Sequence, residues 1–273
     1  MSIVAGTSAA MMAGMLVWLT TKKGNVVSLS YTEYLKLDSL LSLQFPTSED
    51  ENNNETLFII THQVSELWFK QMLLELETVQ KALENNEAYL VVDTLKRISL
   101  ILKTIIHQID VLETMQPQTF NKFRTRLDTA SGFQSVQFHS VEYVLGKRPV
   151  LPSVNREPGP SVWDSFLRYL SNNGNEIPER LLNRDFSQPI PESKEVQAII
   201  YQAYQGESML KYLCEQLIEL DEALQEWRYR HVKMVERTIG FKEGTGGSLG
   251  VEYLKRSLFS PLFPDLWKIR NAF

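Results

Sequence analysis

Few of the 273 residues can offer a metal a nitrogen or sulfur ligand, or relay a proton near neutral pH. They are four histidines, His62, His107, His139 and His231, and one cysteine, Cys214. A single cysteine excludes an internal disulfide framework, a cysteine-rich zinc or iron–sulfur site, and C-x-x-C-H haem attachment. His231 is the most informative of the four histidines. It continues an apolar run of Leu210, Leu213, Leu217, Leu220, Leu224 and Trp227 at the three- and four-residue steps of one helix face. A buried imidazole needs a partner for each ring nitrogen. It is therefore either a core histidine bonded to a carbonyl or carboxylate, or an axial ligand to a cofactor held between helices. His62, on an aromatic face with Phe58, has the same two readings. His107 reads as a helix-surface or interface residue, and no pattern assigns a role to His139.

Phe120 and Arg124 place an aromatic ring and a guanidinium one helical turn apart on one face. Arginine matches a carboxylate with two parallel donors, although most arginines are surface charges. The run Gly244-Thr245-Gly246-Gly247 lacks the Lys-Ser/Thr ending of a phosphate loop and follows a helix, so it reads as a turn or a closing loop.

The elements that must position these groups are helical. Asn53 and Asn54 can cap a helix whose inward stripe is Leu57, Ile60, Val64, Trp68, Met72, Leu76, Val79 and Leu83. With Phe58, His62, Phe69 and Leu73 on a second face, its first half is expected to be deeply buried. A second helix carries Val92, Leu95, Ile98, Leu102, Ile105, Ile109 and Leu112 and is expected to end at Pro117. Short helices follow over 119–127 and 135–145. Pro149, Pro152, Pro158 and Pro160 forbid a helix between 147 and 160. Helical pattern returns at 162–170, a loop-rich stretch spans 172–193, and the long helix carrying His231 follows. No alternating strand or internal repeat stands out. The reading is an all-α fold, a bundle of long helices, with residues 29–273 as a single domain behind an apolar extension, residues 1–28.

Composition agrees with a globular protein: 43% hydrophobic and 22% charged. A net charge of -5 with no basic stripe argues against a nucleic-acid partner. The apolar stretch from Ile3 to Leu19 is slightly short for the ~20 residues that span a bilayer and lacks a basic n-region. It is read as an arm packed on this protein or on a neighbouring subunit, ahead of targeting, a weak membrane contact, or a start site placed too early. One unpaired cysteine fits a reducing compartment, the cytoplasm.

Several long blocks resemble the tryptophan 2,3-dioxygenase family. They are Tyr31 with Tyr34-Leu35, Leu57-Phe58 with His62-Gln63, Glu66-Leu67-Trp68-Phe69-Lys70, Val111-Leu112-Glu113-Thr114-Met115, Phe123-Arg124, Ala130-Ser131-Gly132-Phe133-Gln134-Ser135, Trp227-Arg228-Tyr229-Arg230-His231, and Ile239-Gly240-Phe241-Lys242 with Gly244-Thr245-Gly246-Gly247. They run in order from about Leu29 to the C-terminus.

The resemblance implies a haem b enzyme, active in its ferrous form, that opens the indole ring of L-tryptophan with O2 to give N-formyl-L-kynurenine in tryptophan catabolism. His231 matches the proximal iron ligand, and its place on the inward stripe supports that match independently. His62 matches the distal histidine that accepts a hydrogen bond from the indole N–H, with Phe58 over the same pocket. Arg124 matches the group that grips the substrate carboxylate, and Phe120 stands where some members carry tyrosine. Thr245 matches a threonine that contacts the amino-acid end of the substrate. Tyr31, Tyr34 and Leu35 match a segment that reaches a neighbouring subunit's pocket in a homotetramer. The span from Leu145 to Leu170 is shorter than the resemblance leads one to expect. One other reading keeps the same site, a haem monooxygenase acting on tryptophan or a modified indole; a haem or tryptophan sensor without turnover is a third, against which the retained Arg124 and Thr245 argue, since haem binding alone needs neither.

Overall fold

The periodic apolar stripes become three long helices in a computed structural model that describes residues 28–148, 154, 157–245 and 250–273. The stretch Ile3–Leu19, Pro149, Pro152 and the pair Gly246-Gly247 lie outside the described residues. The described residues form twelve α-helices and three short 3-10 turns, with no strand, so the fold is all-α as expected.

The described residues divide into two units, one up to Phe45 and one from Pro46 onward. In the first, α1 (Tyr31–Leu35) and α2 (Leu37–Leu40) meet at Lys36, whose φ of 54° breaks the helical run. Ser30 and Glu33 cap α1 reciprocally, each side chain taking up the other's backbone N–H. Tyr31, Tyr34 and Leu35 are all exposed.

In the second unit, α4 (Ala88–Leu112) packs along both α3 (Asn52–Glu84) and α10 (Met209–Ile239). A helix with two neighbours must bury two faces. That is why Ile101 and Ile106 join Leu95, Ile98, Leu102, Ile105 and Ile109 in the core. At 1.5 Å per residue, the 33 residues of α3 extend about 50 Å. Two shorter helices, α6 (Val136–Val144) and α7 (Val162–Asn172), pack on α3, and α9 (Lys194–Ala203) packs on α10. Between them α5 (Pro117–Arg124) touches α3 and α10, and α8 (Glu179–Leu182) follows α7. The chain closes with α11 (Val251–Lys255) and α12 (Pro264–Lys268).

Four details differ from the sequence reading. First, α3 starts at Asn52, so Asn53 and Asn54 lie inside the helix and do not cap it. Glu55 instead reaches back and accepts from the Thr47 and Ser48 backbone N–H groups, at 2.9 and 2.7 Å, which fixes the chain entering the helix. Second, α4 ends at Leu112, and Pro117 opens α5 at a position where its missing N–H costs nothing. Third, residues 194–239 are two helices, because the chain breaks at Gly206 and restarts with Ser208 capping Lys211.

The fourth difference matters most. The first half of α3 is not deeply buried: Phe58 is half-buried, and Ile60 and His62 are exposed. The second half, from Phe69 to Leu83, carries the core. Apolar periodicity reports which face avoids water, but not whether protein atoms cover it.

Candidate active site

A small apolar cluster stands apart from the main core. It consists of Leu112, Met115, Phe120 and Phe123, with Leu57, Phe58, Met234 and Ile239 packed on it. It joins the start of α3, the end of α4, α5 and the end of α10. Phe58 is its hub, with ring centroids 5.6 Å from Phe120 and 5.8 Å from Phe123. Its own ring lies 4.2 Å from the imidazole of His62, one turn along α3.

His62 combines two properties. Its surface is open to solvent, yet protein surrounds it on enough sides that desolvation depresses its pKa, outweighing the Phe58 carbonyl and Glu66, which raise it. Its Nδ1 lies 2.7 Å from the Phe58 carbonyl oxygen, which can only accept. Nδ1 therefore carries the proton, and Nε2 of the neutral ring is left as an acceptor. Gln108 of α4 secures this turn of α3, donating to the Thr61 carbonyl at 2.7 Å and the Ser65 hydroxyl at 3.0 Å.

His231, on α10, shares this environment. Burial first, and then the proximity of His62, lower its pKa to about 4, so it is neutral at physiological pH. Neither ring nitrogen has a hydrogen-bond partner among the described residues, although the ring stacks on Trp227 at 5.1 Å and 4°. A half-buried neutral imidazole near His62, with no protein group bonded to either ring nitrogen among the described residues, fits the demands of a haem ligand. The other reading, a core histidine bonded to a carbonyl or carboxylate, lacks its bond.

Arg124 sits at the end of α5, one turn beyond Phe120. Two contacts fasten this region to the start of α3: Lys122 pairs with Glu51 at 2.5 Å, and Arg126 donates to the Thr47 carbonyl at 2.6 Å. The Arg124 guanidinium donates to the backbone carbonyl of Glu243, and the Thr245 hydroxyl donates to the Ala130 carbonyl at 2.6 Å. The structure thus brings Arg124 and Thr245 to one loop. That loop leaves α10 at Gly240 (φ 64°) and ends at Gly250 (φ 59°). A Cβ at Gly250 would meet the Lys242 carbonyl oxygen at 2.5 Å, so only glycine fits.

Phe58, His62, Phe120, Arg124, Thr245 and His231 therefore all belong to the second unit, on elements that meet around the Phe58 cluster. Tyr31, Tyr34 and Leu35 lie on α1 in the first unit. His107 is exposed on α4 as expected.

Two features went unread in the sequence. Phe123 is fully buried within the ring cluster. Glu142 of α6 and Arg228 of α10 form a buried ion pair at 2.8 Å. Lys147 joins at 2.7 Å, and His139 approaches Glu142 at 3.6 Å while its Nε2 contacts the Phe133 carbonyl at 2.8 Å. Burial pushes the Glu142 carboxyl up, but His139, Lys147 and Arg228 together overcome this and hold it at about 2. The same carboxylate raises His139. The i, i+3 spacing of His139 and Glu142 was the available signal. Two surface hollows elsewhere, one beside Glu84 and Arg168 and one beside Leu74 and Val136, contain none of the site residues.

The family model for tryptophan 2,3-dioxygenase matches residues 19–157 and 196–273. The match is interrupted over the segment that holds α7 and α8. A tryptophan 2,3-dioxygenase of Herpetosiphon aurantiacus is 51% identical over 255 residues, covering 89% of this chain and 98% of that protein. One from an Anaeromyxobacter species is 45% identical over 276 residues, covering 93% and 100%. One from Myxococcus xanthus is 37% identical over 258 residues, covering 89% of each. With matches of this identity along nearly its whole length, the chain belongs to the tryptophan 2,3-dioxygenase family.

Proposed function

We propose that this protein cleaves the indole ring of L-tryptophan with O2 to give N-formyl-L-kynurenine, using haem b held by His231. The observation that carries this reading is the proximity of two histidines whose pKa values are both lowered, His62 and His231. His231 has unbonded ring nitrogens, and His62 has its Nε2 free to accept. When bound in its ferrous form, the haem supplies a site for O2 and the electronic means to activate it. The reaction breaks the C2–C3 bond of the indole and leaves one oxygen atom on each carbon, so no external reductant is consumed.

The side chains do the positioning. Nε2 of His62 accepts the indole N–H, which an imidazolium could not do. Phe58 and Phe120 form an apolar wall against the indole and keep water from it. The Arg124 fork takes the carboxylate, exchanging the Glu243 carbonyl for a charged partner, and Thr245 meets the amino-acid end. Fixing the indole N–H and the carboxylate from different directions selects both orientation and chirality.

The active assembly in this proposal is a homotetramer in the cytoplasm. In it Tyr31, Tyr34 and Leu35, exposed on α1, enter a neighbouring subunit's pocket. Among the described residues no helix is long and apolar enough to cross a membrane.

Adding haem b to the purified protein tests the reading. The complex should turn tryptophan into N-formylkynurenine, and His231→Ala should lose both haem and product. Full turnover by that variant would contradict the reading.

A further inference from the structure

The orientation of a histidine ring about its Cβ–Cγ bond is weakly determined by the residue itself, because this torsion is broad. Metal-binding histidines are usually fixed by a hydrogen bond from the second ring nitrogen. His231 has no such bond among the described residues. What it has is Trp227, four residues earlier on the same face of α10, lying parallel to it at a centroid distance of 5.1 Å.

Trp227 is held in turn. Its ring lies 4.5 Å from Phe138 of α6 and meets Phe69 of α3 edge-on at 6.2 Å, and Phe69 and Phe138 touch at 5.3 Å. The next residue, Arg228, pairs with Glu142, which is one turn beyond Phe138 on α6. Thus α6 uses two side chains at i, i+4 spacing to brace two consecutive residues of α10. One grips the helix by charge, and the other grips the ring that lies on His231.

We propose that Trp227 is a positioning residue: its indole, packed against Phe138 and Phe69, sets the plane of the His231 imidazole by stacking on it. This rests on the assignment of His231 as haem ligand. It predicts that removing the Trp227 ring alters how His231 holds the haem, over and above any change in turnover.

The test compares haem-loaded wild-type protein, Trp227→Leu, Trp227→Phe and His231→Ala. The readouts are the iron–histidine stretching band by resonance Raman and the rate of haem transfer to excess apomyoglobin. Trp227→Leu should shift or broaden the band and speed haem loss at least tenfold, and Trp227→Phe should restore most of both. A Trp227→Leu protein that matches wild type in band and rate overturns the proposal. Should that variant lose its helical circular dichroism, Phe138→Leu replaces it: a displaced band supports the proposal, and an unchanged band overturns it. Wild-type protein that takes up no haem, or His231→Ala with an unchanged band, overturns the haem assignment itself and this proposal with it.

Discussion

The Nδ1–H of His62 donates to the carbonyl oxygen of Phe58 at 2.7 Å, one turn back along α3. That bond fixes the tautomer and turns Nε2 into the acceptor. Desolvation by the surrounding protein lowers the His62 pKa below the ordinary histidine value, so the ring is neutral at physiological pH. Position, tautomer and charge state of the distal histidine thus follow from one helical turn and its surroundings.

The first prediction follows from that acceptor. His62→Ala should depress kcat/KM for tryptophan by roughly tenfold or more, the scale of one hydrogen bond of ~1.5 kcal/mol. An analogue methylated on the indole nitrogen should suffer no such loss, since it has no proton to donate. Activity of the wild type should fall as pH drops below the ordinary histidine range, because the depressed pKa moves the loss to lower pH. Steady-state profiles of both proteins check this, and an identical acid limb in His62→Ala would remove His62 from the account.

Arg124 supplies a charge-assisted fork. Arg124→Ala should lower kcat/KM for tryptophan by about 10- to 100-fold, equivalent to ~1.5–3 kcal/mol. Indole-ethylamine, which has no carboxylate, should be far less affected. Equal losses with both substrates would make Arg124 a purely structural group.

The Glu142–Arg228 pair sets a stability prediction. The folded pKa of Glu142, about 2, lies below its ordinary value of 4.5. Its contribution is therefore present above pH 4.5 and lost as pH falls toward 2. Glu142→Gln leaves the Arg228 charge buried without its partner and should cost about 3–5 kcal/mol near neutral pH. Denaturant unfolding of the two proteins should differ widely at pH 7 and converge toward pH 2. His139 runs the other way: its raised pKa contributes stability below about pH 6.5, lost as pH rises through the folded value.

Much of the framework was legible because helical periodicity is a local property. The stripe from Leu95 to Leu112 and the run from Leu210 to Met234 became α4 and most of α10. The break at Gly206 was signalled by Ser208, a capping residue, but the apolar pattern on both sides hid it. The open face at Ile60 and His62 was not legible, since apolarity does not reveal what covers a surface. Neither was the pairing of Glu142 with Arg228, which depends on helices 86 residues apart in the chain. The His62 tautomer and the stacking of Trp227 on His231 are matters of side-chain rotation, which spacing does not encode.

The exposed Tyr31, Tyr34 and Leu35 lead to a prediction about assembly. Protein lacking residues 1–35 should keep haem through His231 but show a strongly raised KM or no turnover, whereas loss of residues 1–23 should be mild. Size-exclusion chromatography with light scattering, run beside activity assays, should find the active full-length species to be a tetramer. A fully active monomer would contradict the shared pocket.

The central claim is that both atoms of O2 enter one tryptophan. Turnover of the haem-loaded protein under 18O2, followed by mass spectrometry, tests it most directly. The account predicts N-formylkynurenine carrying two labelled oxygens. A hydroxylated product with a single label, or no labelled product at all, would contradict it.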